Sequence, residues 1–329
     1  MRALIVGFGS IGRRHLANLR RLGIEHVTVL RQAPGSPGLE LPEGPDCVVY
    51  SLADALAMCP DFAIVCNPAT KHVSAAIPLV LHNIHVLVEK PLSHATETAT
   101  ELVGLCEMKA VTLQVGYNFR FYSPFIKIRS ALSDGLIGQI VSIRSEAGQY
   151  LPDWRPTTDY RQTVSARQDL GGGVLLELSH EFDYVSWFCG QVVRVSAETG
   201  KLSGLDLDVE DVAEVTLRFA SGAIGSIHLD MVQRPATRSC KVVGTEGTLE
   251  WTAADHAVRH YSARDGQWHS LVPPSESDRN LMYLKELEEF IDCFTHGRKP
   301  VVGGSDGLRA VAIAEAASQS AREHRAIEI

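Results

Sequence analysis

The spacing of apolar positions changes once along the chain. Arg2-Ala3-Leu4-Ile5-Val6 is a short apolar run that predicts a buried strand. Gly7-Phe8-Gly9-Ser10-Ile11-Gly12 follows. Leu16, Leu19 and Leu22 then recur at helical spacing as far as Gly23, which suits a helix C-cap. Residues 27–30 predict a second strand, 33–45 a Pro/Gly-rich loop and 47–50 a short strand, and Ser51 can cap a helix running to 58. Residues 61–66 read as a buried strand, ending in Asn67-Pro68-Ala69-Thr70 and a helix over 71–82. Another buried strand at 85–88 ends in Glu89-Lys90-Pro91, Ser93 can cap a helix to about 108, and 111–115 is a sixth strand. Near-continuous Val/Ile/Leu/Ala strands separated by helices predict a parallel sheet covered on both faces.

The pattern changes near Gly116. Residues 137–149 read as a strand, and after an irregular loop 174–189 read as a helix. Strands follow at 192–198, 212–219, 223–231, 239–243 and 248–251, with Ala220-Ser221-Gly222-Ala223 and Gly244-Thr245-Glu246-Gly247 as hairpin turns. Helices at 282–296 and 305–323 close the chain. The predicted class is α/β, with a doubly wound parallel domain over 1–117 followed over 118–329 by an α/β domain on a large, mostly antiparallel open sheet. The C-terminal helices are able to pack back on the first domain.

Composition narrows the function classes. A chain of 329 residues accommodates two domains, and 45% hydrophobic with 21% charged residues is ordinary for a globular protein. The net charge of −8 and the lack of a long basic block disfavour nucleic acid and anionic membranes as partners. No apolar run nears the roughly 20 residues that span a bilayer. The N-terminus does not read as a signal peptide, so a cytoplasmic enzyme is expected. Cys47, Cys59, Cys66, Cys106, Cys189, Cys240 and Cys293 stand singly, which fits reduced thiols. The 13 histidines show no metal-ligand spacing, and no metal is expected.

The candidate chemistry lies at three junctions. Gly7, Gly9 and Gly12 form a GxGxxG turn between a strand and a helix, with Ser10 and Ile11 at the helix start. Such a turn lets the backbone approach a pyrophosphate and presents helix N–H groups to it. At the end of the second strand, where an acid would hold a ribose 2′-OH, stands Arg31. With Gln32 and Ser36, and with Arg13 or Arg14 assisting, it can receive a 2′-phosphate, which favours NADP over NAD. Alternatively, Arg31 is a surface residue at a strand end. Asn67, Pro68 and Thr70, and then Glu89 and Lys90, follow strands at the edge where ligands bind in such sheets, with Pro91 stiffening the second turn. The third junction is Gly171-Gly172-Gly173 followed by Glu177, His180, Glu181, Asp183 and Tyr184. On one helix, Glu177, His180 and Tyr184 would share a face, and a histidine there suits acid–base work.

Together the glycine turn, Glu89-Lys90-Pro91 and the Gly-Gly-Gly…Glu-Leu-Ser-His…Asp block resemble the glucose–fructose oxidoreductase/inositol dehydrogenase (Gfo/Idh/MocA) family over nearly the whole chain. The resemblance implies a Rossmann domain binding NADP or NAD, a sugar-like substrate, and a homodimer or homotetramer. Lys90 resembles the family's substrate-binding and proton-transfer lysine, and His180 its catalytic histidine. Asn118 and Arg120 resemble residues that approach the nicotinamide or the substrate. Glu177 stands where many members have Asp, and Ser179 where many have Gly. The segment Tyr150-Leu151-Pro152-Asp153-Trp154-Arg155-Pro156, with Tyr160-Arg161, resembles a loop in members from bacterial surface-sugar gene sets. Trp154 and Arg155 are suited to stack on a ring and fork onto an anion; alternatively, Trp154 packs the loop. The expected activity is hydride transfer between a nicotinamide and a sugar-like hydroxyl or carbonyl, on an anionic sugar or nucleotide sugar. The alternatives are a lyase or glycoside-cleaving enzyme that recycles tightly bound NAD, and a non-catalytic dinucleotide-binding regulator.

Overall fold

The structure, a computed structural model, describes residues 1–31, 44–274 and 278–329. Gln32, Ser36 and nearly all of the expected 33–45 loop lie outside these. The described chain divides into two compact units, Met1–Asn118 with Arg279–Leu308, and Phe119–Asp278 with Arg309–Ile329.

In the first unit the strands are β1 (Arg2–Val6), β2 (His26–Leu30), β3 (Cys47–Val49), β4 (Phe62–Val65), β5 (His85–Val88) and β6 (Leu113–Val115). Among the described residues they form one sheet in the order β3-β2-β1-β4-β5-β6, every pair parallel. The continuous apolar runs are explained by burial on both faces: all four residues of β4 are buried, and four of the five in β1. The crossover helices are α1 (Ser10–Arg21), α2 (Leu52–Ala57), α3 (His72–Leu81) and α4 (Thr96–Lys109). Gly23, at φ +76°, follows the end of α1, and Ser51 caps α2 by accepting the Asp54 N–H. Ser93 does not cap α4. Its hydroxyl pairs with Thr98 at 2.7 Å, and Ala95 is the N-cap.

The second unit holds α5 (Ser123–Ser133), β7 (Ile140–Gly148), α6 (Val174–Glu177), α7 (His180–Cys189), β8 (Val192–Gly200), β9 (Val212–Phe219), β10 (Ile224–Asp230), β11 (Thr237–Gly244), β12 (Gly247–Thr252), β13 (Val258–Ser262) and β14 (Gln267–Val272). The chain then forms α8 (Asn280–His296), packed on the first sheet, α9 (Gly304–Glu323), and β15 (Ile327–Glu328) in the second sheet. The second sheet runs β14-β13-β12-β11-β7-β10-β9-β8-β15 and is antiparallel except between β7 and β10. Alternating burial along β9 leaves one face covered. The covered side carries an aromatic cluster, with Phe125 at 4.7 Å from both Tyr184 and Trp251. The helix expected over 174–189 is two helices broken at Leu178-Ser179, so Glu177 and His180 do not share one helical face. Ser179 is the N-cap residue of α7 and makes no side-chain cap hydrogen bond.

Candidate active site

The order of the first sheet reverses between β1 and β4, where a doubly wound fold places its ligand. The turns after these two strands touch. Gly7 has φ +89°, and a Cβ on it would lie 2.8 Å from the Asn67 nitrogen, so only glycine fits. Gly12 lets α1 settle onto the Gly7 carbonyl, 2.5 Å from where its Cβ would be. Gly9 is different: a Cβ there would meet nothing within 4 Å. It is the N-cap of α1, with no side-chain cap and no acidic residue in the first turn, while Ser10 is exposed and Ile11 half-buried. Uncapped helix N–H groups beside an open glycine suit an anionic pyrophosphate. Asn67 adds a buried Oδ1 with no hydrogen-bond partner, and its Nδ2 donates to the Lys71 carbonyl at 3.2 Å. Pro68 and Thr70 are half-buried on the same turn. These residues fit a dinucleotide.

Arg31 directly follows β2 on this edge, its N–H donating to the Val49 carbonyl at 3.0 Å. Arg14 is directed elsewhere: its guanidinium stacks 4.5 Å from the centre of the Tyr283 ring.

After β5, Glu89 is buried and Lys90 half-buried, and the Lys90–Pro91 bond is cis. Glu89 Oε1 lies 2.7 Å from His15 Nε2, and Oε2 accepts the Lys90 N–H at 3.2 Å. Burial pushes the Glu89 carboxyl up. The His15 hydrogen bond, the charges of His15 and Lys90 and the Lys90 N–H outweigh that and hold it below the usual carboxylate range. Buried Asn118 hydrogen-bonds Tyr283 of α8. Three residues further along α8, Glu286 is fully buried. Neither Tyr283, Glu286, His15 nor His72 stood out in the sequence. Tyr283 and Glu286 reach this edge from a helix far along the chain, and their i, i+3 spacing on α8 was the only available signal.

In the second unit, Gly172 packs against the backbone carbonyls of Val164, Ser165 and Arg167, and Gly173 packs under Glu210. Gly173 has φ +100°, and a Cβ there would run into the Glu210 carboxylate. The Glu210 carboxylate also accepts the Leu175 N–H at 3.2 Å, fixing α6. Glu177 accepts the Ser165 hydroxyl at 2.9 Å. His180 opens α7, its ring 4.9 Å from that of Phe119. Two arginine–carboxylate pairs brace this helix. Arg120 is buried and donates bidentately to Asp183 at 2.8 and 2.7 Å, and Arg238 donates to Glu181 at 2.7 and 2.9 Å while lying over the Phe119 ring. Arg120 therefore directs its fork into α7. Trp154 is half-buried, its indole N–H donating to the Gln149 carbonyl at 2.9 Å, while Arg155 is exposed. Arg161 is paired with Asp159.

A doubly wound sheet with an open glycine turn, joined to a second α/β unit, defines a dinucleotide-dependent oxidoreductase. The chain belongs to the Gfo/Idh/MocA oxidoreductase family. Residues 1–117 match its NAD-binding Rossmann fold and 129–329 its C-terminal alpha/beta domain. It is 27% identical to myo-inositol 2-dehydrogenase of Thermotoga maritima over all of this chain and 98% of that one. It is 26% identical to D-apiose dehydrogenase of Paraburkholderia graminis, over 99% and 88% of the two chains. Among solved structures, GenD2 from gentamicin A biosynthesis, in complex with NAD, superposes with TM-score 0.82 at 26% identity, covering 100% of this chain and 96% of that one. Among the described residues, no helix is long and apolar enough to cross a membrane.

Proposed function

We propose that this protein is an NAD(P)-dependent dehydrogenase or reductase acting on a sugar-like hydroxyl or carbonyl, on a substrate with an anionic group such as a sugar acid or nucleotide sugar. The reading rests on the junction of Glu89, Lys90 and the glycine turn at one sheet edge, where the coenzyme-binding features stand beside a lysine set by a buried carboxylate. The T. maritima and P. graminis relatives carry polyol and sugar names, which supports the sugar-like part of this reading.

When bound, the nicotinamide supplies or accepts the hydride. In this reading Gly7, Gly9, Ser10, Ile11 and Gly12 hold the pyrophosphate, Arg31 the 2′-phosphate of NADP, and Asn67, Pro68, Thr70, Glu89 and Asn118 line the rest of the coenzyme. Lys90 holds the reacting oxygen and stabilises charge on it, and His180 takes or returns the hydroxyl proton. Glu177, Arg120, Trp154 and Arg155 belong to the substrate domain, residues 118–329, which also carries assembly into a homodimer or homotetramer in the cytoplasm. The test is a screen of sugars, sugar acids and nucleotide sugars with NAD(H) and NADP(H), followed by reduced-nicotinamide absorbance. A substrate consumed with stoichiometric change in that band is the expected result. Consumption with no net change would overturn simple dehydrogenation.

A further inference from the structure

The backbone ladder between β4 and β5 continues one step past the strands, with the Glu89 N–H donating to the Val65 carbonyl at 3.0 Å. Beyond it, one side chain joins the two turns. His72, the first residue of α3 and 2% exposed, sets Nε2 2.7 Å from the Asn67 carbonyl and Nδ1 2.8 Å from the Pro91 carbonyl. We infer that His72 is a positioning residue for both coenzyme and Lys90, clamping the turn after β4 to the turn after β5. The inference rests on the reading above, in which the first turn lines the coenzyme and Lys90 meets the substrate.

The chemistry of the clamp follows from its acceptors. A carbonyl oxygen has no proton to give, so each of the two bonds requires an N–H on the ring. A neutral imidazole has one N–H and holds one turn, while an imidazolium holds both. Burial drives the ring towards the neutral form. The two carbonyls and the Glu89 carboxylate oppose that, and the Lys90 ammonium reinforces it, leaving the ring below its ordinary value. Lys71, the adjacent cation, precedes the ring in sequence. The clamp is therefore closed at both ends at acid pH and opens at one end as pH rises through the ring's titration.

The test titrates NADPH and NADH by fluorescence onto the full chain and its His72→Gln and His72→Ala variants between about pH 5 and 8. Wild-type affinity is expected to be highest at the acid end and to fall as the ring deprotonates. His72→Gln carries amide N–H groups at every pH and is expected to show no such step. His72→Ala is expected to bind NADH about tenfold more weakly at the acid end, the scale of one lost hydrogen bond. Two-bond ¹H–¹⁵N spectra of the histidine rings should show both His72 nitrogens protonated at the acid end. Identical pH profiles for wild type and His72→Gln, or a ring with one protonated nitrogen throughout, would overturn the clamp. If His72→Ala does not fold, the Gln variant and the ring spectra decide. A wild type that binds neither NADPH nor NADH refutes the coenzyme reading instead, and the spectra still decide the clamp.

Discussion

Nε2 of His15 lies 2.7 Å from Oε1 of Glu89, tying the helix behind the glycine turn to the residue that precedes Lys90. His15 is fully buried and Glu89 nearly so, so neither reaches water to stabilise a charge. The carboxylate is kept by this bond and by the Lys90 N–H on its other oxygen. The helix after the glycine turn and the turn that carries Lys90 are thus parts of one hydrogen-bonded unit. Breaking a buried pair of this kind leaves an uncompensated charge and costs about 3–5 kcal/mol.

Replacing Lys90 or His180 by Ala is expected to cut turnover by about 10² or more, the scale of a positioned acid or base. Lys90 is half-buried at a turn and His180 is the first residue of α7, so thermal midpoints should stay near wild type. A double variant that keeps near-normal turnover would remove both residues from the mechanism.

Arg31 stands at the end of β2 where an acid would otherwise hold a ribose hydroxyl. Titration with both coenzymes is expected to show tighter binding of NADP(H). Arg31→Asp is expected to reverse the preference, since a charged hydrogen bond is worth about 1.5–3 kcal/mol and the acid would repel the phosphate. A variant with the wild-type preference would show that Arg31 does not read the 2′-phosphate.

Arg155 is exposed beside a tryptophan whose indole N–H is held by its own loop, while nearby Arg161 is committed to Asp159. Arg155→Ala should raise KM for an anionic substrate about tenfold and leave NAD(P)H affinity unchanged. An unchanged KM, or a best substrate that is neutral, would sink the anionic reading.

Much of the first sheet was legible because buried parallel strands are continuous apolar runs, as in Arg2–Val6, and in the second sheet Val212–Phe219 falls where its alternating pattern places it. The hairpin β13–β14 was not read: β14 begins with four exposed residues, so no apolar period marks it. The break at Leu178-Ser179 was missed because the apolar pattern runs through it. Glu89-Lys90-Pro91 stood out as charge after an apolar strand, but its partners did not. His15 and Glu286 look like ordinary polar residues on amphipathic helices, and only the tertiary fold turns them to the same carboxylate.

Glu286 gives the last prediction. It is fully buried, neither carboxyl oxygen has a hydrogen-bond partner, and the Gln114 amide donates instead to its backbone carbonyl at 2.9 Å. Burial, then the Glu89 carboxylate, then Glu289 push its carboxyl well above the ordinary 4.5. The folded chain therefore keeps a proton that the unfolded chain releases. The stability from Glu286 is complete below the unfolded value and is lost as pH rises through the folded one. Glu286→Gln keeps the shape and cannot ionise. In urea unfolding across about pH 4–9, wild type should lose stability relative to the variant by about 1.4 kcal/mol per pH unit above the unfolded value, until Glu286 ionises in the folded state. The variant should be the more stable protein at pH 8, with the advantage shrinking towards acid. A difference that stays constant with pH would mean that Glu286 is not held as a neutral acid.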